Sequence, residues 1–121
     1  MNKILVVDDR ADIRDLIEAT LIINDYKILK AKSGDEAIKI AKKEKPGLII
    51  MDVMMPGNTN GIEACRILKE NPETRDSKIV MLSGKGLATD RQAGFEAGAD
   101  GYFLKPFNLL ELLKKVEELL E

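Results

Sequence analysis

Short apolar runs alternate along this chain with longer stretches in which apolar residues recur every three or four positions. The runs are Ile4 to Val7, Leu48 to Met51, Ile79 to Leu82 and Tyr102 to Leu104, each brief, bounded and rich in branched or aromatic residues. A strand covered on both faces needs apolar side chains at consecutive positions, so these four read as strands of a buried parallel sheet. Tyr26 to Ala31 alternates and makes a weaker fifth. Between the runs, Ile13, Leu16, Ile17, Thr20 and Leu21 repeat at helical spacing, as do Leu109, Leu112, Leu113, Val116 and Leu120 near the end. Ser33 with Glu36 makes a capping-box pattern ahead of Ala37, Ile38 and Ala41, and Asn108 with Glu111 offers a similar start to the final helix. Two further helices fall over Gly61 to Glu70, closed by Asn71-Pro72, and roughly over Thr89 to Ala97, closed by Gly98. Five alternations of strand and helix predict an α/β fold with one parallel sheet wrapped on both sides.

At 121 residues the chain fits one domain, able to bury about two thirds of its unfolded surface. Lys and Arg number 19 against 21 Asp and Glu, a formal net charge of −2. That is neither the basic excess of a nucleic-acid binder nor the acidity of a disordered tail. No apolar run approaches the ~18 residues of a membrane span, and the N-terminus lacks the order of a signal peptide. The expectation is a cytoplasmic protein with no direct contact to nucleic acid or membrane. Cys65 is the only cysteine; its helical spacing with Ile62 and Leu68 reads as a small buried hydrophobe. Histidine is absent altogether. This removes the usual general base and the usual zinc ligand, together with any Ser-His-Asp or Cys-His arrangement. Chemistry here must run on carboxylates, hydroxyls and lysines.

The strong strands end in such groups: the first at Asp8-Asp9, the next at Asp52, then Ser83, then Lys105. In an open parallel sheet the carboxyl ends of the strands lie along one edge, where ligands bind at the switch point of strand order. Taken singly, the acids and the serine could cap helices or open turns, and the lysine could face solvent; together they predict one site. Three adjacent carboxylates repel one another unless a hard divalent cation sits among them, and Mg²⁺ is held in this way by one or two carboxylates, waters and a phosphate oxygen. Asp52, on a different strand from the paired acids, is then a candidate nucleophile that forms an aspartyl phosphate, with Ser83 and Lys105 binding the remaining phosphoryl oxygens.

This constellation resembles the receiver domain of two-component response regulators. The resemblance covers nearly the whole chain and rests on VVDD (6–9), MDVMMPG (51–57), MLSG (81–84) and FLKPF (103–107), in family order and at close to family spacing. It implies a single receiver domain over 1–121 with a flavodoxin-like, doubly wound sheet in the order 2-1-3-4-5. It implies Asp52 as phosphoacceptor and Mg²⁺ held by Asp9, Asp52 and the main-chain carbonyl of Met54, with Asp8 in support. Ser83 matches the switch hydroxyl, Tyr102 the switch aromatic and Lys105 the phosphate-binding lysine, and the Lys105-Pro106 peptide is implied to be cis. One departure stands out: in GNTNG, Gly61 lies one residue further from Asp52 than the corresponding glycine of many receivers, so the intervening loop is longer.

The partners implied are a sensor histidine kinase or histidine phosphotransfer protein, and a downstream protein met through the face of the fourth helix, fifth strand and fifth helix. The expected state is a monomer or a weak, phosphorylation-dependent dimer. Because the sequence stops after the fifth predicted helix, no output domain is expected within it; the chain is either a stand-alone regulator or a fragment. Two other classes compete. A haloacid-dehalogenase-type phosphatase also uses an aspartate nucleophile after a strand, but would need a second acid where Met54 stands. A pseudo-receiver that only binds partners would lose an acid or the lysine, and none is lost here.

Overall fold

The computed structural model of the chain describes residues 2–55, 57, 59–84 and 88–120. Pro56, part of the turn pair in the MDVMMPG motif, lies outside them. The apolar runs pair as five parallel strands, β1 (Lys3–Val7), β2 (Lys27–Ala31), β3 (Leu48–Asp52), β4 (Lys78–Ser83) and β5 (Gly101–Leu104), in the order β2-β1-β3-β4-β5. Between and after them run α1 (Ala11–Leu21), α2 (Gly34–Glu44), α3 (Gly61–Glu70), α4 (Ala88–Glu96) and α5 (Leu109–Leu120), with a 3-10 turn at Ile22–Asn24. The strand order and the two-sided wrapping are those the sequence pattern and the resemblance implied.

Alternation along the strands divides the core in two. Leu5, Val7, Ile49, Met51, Ile79 and Met81 point to one face, where they meet Ala37 and Ala41 of α2 and Ala64, Cys65 and Leu68 of α3. Ile4, Val6, Leu48, Ile50, Val80 and Leu82 point to the other, against Ile17 and Leu21 of α1 and Leu112 and Val116 of α5. Each large aliphatic side chain buried there contributes about 1.5–3 kcal/mol. Edge strand β2 keeps Lys27 and Lys30 in solvent on either side of half-buried Ile28 and Leu29, so the expected alternation is not strict and its apolar run is interrupted where those of β1, β3 and β4 are not.

Local signals set the helix ends. Ser33 Oγ accepts from the Glu36 N–H at 3.1 Å, while Glu36 Oε1 accepts from the Lys32 N–H at 3.3 Å, so the return bond of the expected capping box falls one residue earlier. Asn108 Oδ1 accepts from the N–H groups of Leu110 and Glu111 and starts α5. Helix α4 runs one residue ahead of the expected span. Gly98, at φ +109, closes the stretch as expected, donating to the Phe95 carbonyl at 3.0 Å. Cys65 is fully buried, and that burial pushes its thiol up to about 11. Among the described residues no helix is long and apolar enough to cross a membrane.

Candidate functional site

The carboxyl ends of β1, β3, β4 and β5 bring the predicted groups together. Asp8 follows β1 with no exposed surface, Asp52 ends β3 at 5% exposure, and Asp9 is exposed beside them. Carboxylate oxygens of Asp8, Asp9 and Asp52 lie within 4.8 Å of one another. Lys105, just past β5, reaches in with its Nζ 2.8 Å from Asp8 Oδ2 and 3.5 Å from Asp52 Oδ2. Its own N–H donates to the Ser83 carbonyl at 2.7 Å, tying the end of β5 to the end of β4, and the Lys105-Pro106 peptide is cis. Ser83 is fully buried at the end of β4. Met54 is half exposed, and its N–H donates to Asp52 Oδ1 at 3.3 Å.

The capping reading of Asp8 and Asp9 does not hold. Arg10 is the N-cap of α1 and makes no side-chain cap bond. Asp8 Oδ1 instead accepts from the Arg10 N–H at 2.9 Å, and Asp8's own N–H is tied to the Ala31 carbonyl at 3.1 Å. Arg14, which the motifs passed over, donates to the Asp8 carbonyl at 2.7 Å and fastens the first turn of α1 to the end of β1. Its place on α1, one turn beyond Arg10, was the available signal.

Burial and charge set the site's electrostatics. Desolvation raises the Asp52 carboxyl above its ordinary value; the Lys105 charge pulls the other way, Asp8 adds to the rise, and the Met54 N–H opposes it. Burial weighs against the Lys105 charge, but its hydrogen bond to Asp8 and the charges of Asp52 and Asp8 outweigh burial and leave it raised. Lys105 thus faces two buried acids, Asp8 and Asp52. A carboxyl raised in the folded state stabilises that state below its unfolded value of 3.8 and loses the contribution as pH climbs through the folded value. In metal-free buffer, Asp52→Asn is accordingly expected to melt higher than the natural protein at neutral pH, with the gap closing as pH falls through the raised folded value toward 3.8. Thermal melts across pH 3 to 7 check this, and a gap that widened toward acid would contradict it.

A glycine permits the loop after β3 to turn back. The Gly61 N–H donates to the Val53 carbonyl at 3.0 Å, and a Cβ at Gly61 would overlap the Asp52 carbonyl oxygen and stand 2.9 Å from Val53 Cα. Asn60 Oδ1 accepts from the Glu63 N–H at 2.9 Å and caps α3.

Tyr102 and Phe103 point to opposite sides of the sheet, Tyr102 toward the cluster holding Met81 and Phe103 toward the cluster holding Leu82. The Tyr102 ring packs beside Gly94 of α4, and its centroid lies 6.2 Å from that of Phe95. Its hydroxyl is buried with no hydrogen-bond partner among the described residues. This is the side chain the resemblance made the switch aromatic, and the structure holds its hydroxyl inside.

An acidic cluster at the switch point of a doubly wound parallel sheet, with a lysine reaching in from the last strand, defines a class: an α/β domain of the flavodoxin-like kind with its candidate site at the carboxyl edge of the sheet. The family model described as the response regulator receiver domain matches residues 4–117, and the chain belongs to that family. It is 47% identical over 118 residues to the transcriptional regulatory protein ResD of Bacillus subtilis, covering 98% of this chain and 48% of that protein. It is 41% identical over 117 residues to the phosphate regulon transcriptional regulatory protein PhoB of Pseudomonas aeruginosa, covering 97% of this chain and 51% of that one. The chain thus spans about half the length of these curated relatives. Among solved structures, chemotaxis response regulator CheY4 of Vibrio cholerae superposes with a TM-score of 0.89 at 34% identity, covering 98% of both chains. A BeF3-activated DrrB receiver domain does so with a TM-score of 0.89 at 32% identity, covering 99% of this chain and 97% of that one.

Proposed function

We propose that Asp52 accepts a phosphoryl group from a phosphohistidine on a sensor histidine kinase or phosphotransfer protein, and that the chain acts as a signalling switch rather than as an enzyme with a separate product. The observation that carries this reading is the pairing of a buried strand-end carboxylate with Lys105 and two further acids, in a chain of the receiver family. One Asp52 oxygen forms the bond to phosphorus as the P–N bond to the donor imidazole breaks; the imidazole nitrogen keeps the electron pair and takes a proton from solvent. The Met54 N–H holds Asp52 Oδ1, which leaves the other oxygen to attack. Lys105, already within reach of Asp52, faces the incoming phosphoryl oxygens, and Ser83 stands at the end of the neighbouring strand to meet another.

The donor set suits a hard divalent cation, since three carboxylates converge within 4.8 Å, Lys105 pairs with only two of them, Asp8 and Asp52, and every offered atom is oxygen. Asp9, Asp52 and the Met54 carbonyl, supported by Asp8, would hold Mg²⁺, which supplies neutralisation of phosphoryl charge when bound. The neighbouring receiver solved in a BeF3-activated form supports the same chemistry here.

The output surface in this reading is the face of α4, β5 and α5, where Phe95, Leu104 and Leu110 stand exposed to a downstream protein. The test of the central step is intact-mass spectrometry after incubation with acetyl phosphate and Mg²⁺. The natural protein is expected to gain one phosphoryl group, and Asp52→Asn or the natural protein in a chelator none. Equal labelling of Asp52→Asn would overturn the assignment.

A further inference from the structure

The longer loop after β3 has a destination. Thr59 Oγ1 donates to Asp35 Oδ1 at 2.7 Å, joining the loop to the first turn of α2. Gly34, beside Asp35, makes room for the approach: a Cβ there would overlap the Thr59 carbonyl oxygen and stand 3.1 Å from Thr59 Cγ2. Thr59 is therefore held from two directions, by a hydrogen bond and by a close contact that needs a glycine. The next residue, Asn60, caps α3, and the one after it, Gly61, is bonded to Val53 and packed on the Asp52 carbonyl. Three consecutive residues are thus fastened to α2, to α3 and to the end of β3.

We propose that Asp35 and Thr59 are a positioning pair for Asp52. By holding Thr59 to Gly61 against the end of β3, the hydrogen bond limits how far the phosphoacceptor can shift and so governs how long its phosphoryl group survives. The inference rests on the reading that Asp52 is phosphorylated. Neither residue touches the reacting atoms. Hydrolysis needs a water in line with the bond between phosphorus and Asp52: the water oxygen bonds to phosphorus, the Asp52 oxygen keeps the electron pair, and a water proton passes to solvent. A phosphoryl group on a carboxylate whose backbone is loosely held samples geometries open to that water more often. Thr59–Asp35 is the added restraint in a chain whose loop is one residue longer, and longer loops are less restrained by their ends alone.

The full chain is phosphorylated with acetyl phosphate and Mg²⁺, the donor is removed, and the phosphoryl group on Asp52 is followed by intact mass. Thr59→Val, which keeps the shape and loses the hydroxyl, and Asp35→Ala are each expected to shorten the half-life about threefold, the scale of one net hydrogen bond. The double variant is expected to be no worse than either single one, and Thr59→Ser to restore the natural lifetime. Melting temperature is measured in parallel. Half-lives that are equal across the series, or that fall additively in step with melting temperature, would overturn the pair's role while the natural protein still labels. A natural protein that never labels would overturn the phosphoacceptor reading, and this inference with it.

Discussion

Gly61→Ala is expected to cost the folded state about 3 kcal/mol, a large share of the ~5–15 kcal/mol that holds a domain together. The added carbon meets backbone on both sides, the Asp52 carbonyl oxygen and Val53 Cα, so no change of rotamer relieves it. The chain must instead lengthen the bond from the Gly61 N–H to the Val53 carbonyl or slide the first turn of α3, which endangers the Asn60 cap. Gly84→Ala serves as the comparison, because a Cβ at Gly84 meets nothing within 4 Å among the described residues; it is expected to be near neutral or slightly stabilising through the unfolded chain. Denaturant titration should show a lower midpoint for Gly61→Ala at an unchanged slope. Matching midpoints for the two variants would mean that the approach of α3 to β3 is not tight in solution.

The second large effect is expected for Lys105→Met. The side chains of Asp8 and Asp52 are 1% and 7% exposed, and the ammonium between them is the cation they share. Removing it leaves two buried charges face to face, and breaking such an arrangement costs about 3 kcal/mol. A carboxyl can escape by binding a proton, so the deficit is expected to shrink as pH falls. Lys105 is raised above 10.5 in the natural protein, so its contribution is complete below that value and is lost as pH rises through the folded one; the variant has no such alkaline loss. Labelling by acetyl phosphate is expected to slow about a hundredfold, as when a preorganised group facing developing negative charge is deleted. Lys105→Arg separates the two effects: it keeps the charge and most of the stability, but its planar fork does not replace a compact ammonium. Labelling of Lys105→Met at the natural rate would remove Lys105 from the chemistry.

Much of this was legible in the sequence because the sheet is buried on both faces. Five consecutive buried residues, Leu48 to Asp52, cannot be mistaken for an amphipathic helix once a turn pair follows. Strand β2 was fainter because half of it meets water, and α4 was displaced by a residue because Arg91, Gln92 and Gly94 interrupt any clear apolar stripe. The convergence of Asp8, Asp9, Asp52, Ser83 and Lys105 could be read because parallel strands put their carboxyl ends on one edge. Which of the paired acids is buried could not. Asp8 disappears into the site and Asp9 stays exposed through the path of the chain after β1, held by the Arg10 N–H and the Arg14 side chain. The Thr59–Asp35 contact was equally out of reach, since it depends on how closely α2 approaches a loop 24 residues away.

The burial of Cys65 has a practical side. Thiolate is the reactive form of cysteine, and a thiol that has no exposed surface and is pushed up to about 11 offers almost none of it near neutrality. The molecule is therefore chemically silent toward maleimides and similar reagents while it stays folded. A cysteine engineered at an exposed position such as Glu73 or Lys114 becomes the single address for a fluorophore or spin label, and motions of the domain can be followed without first emptying its core of sulfur.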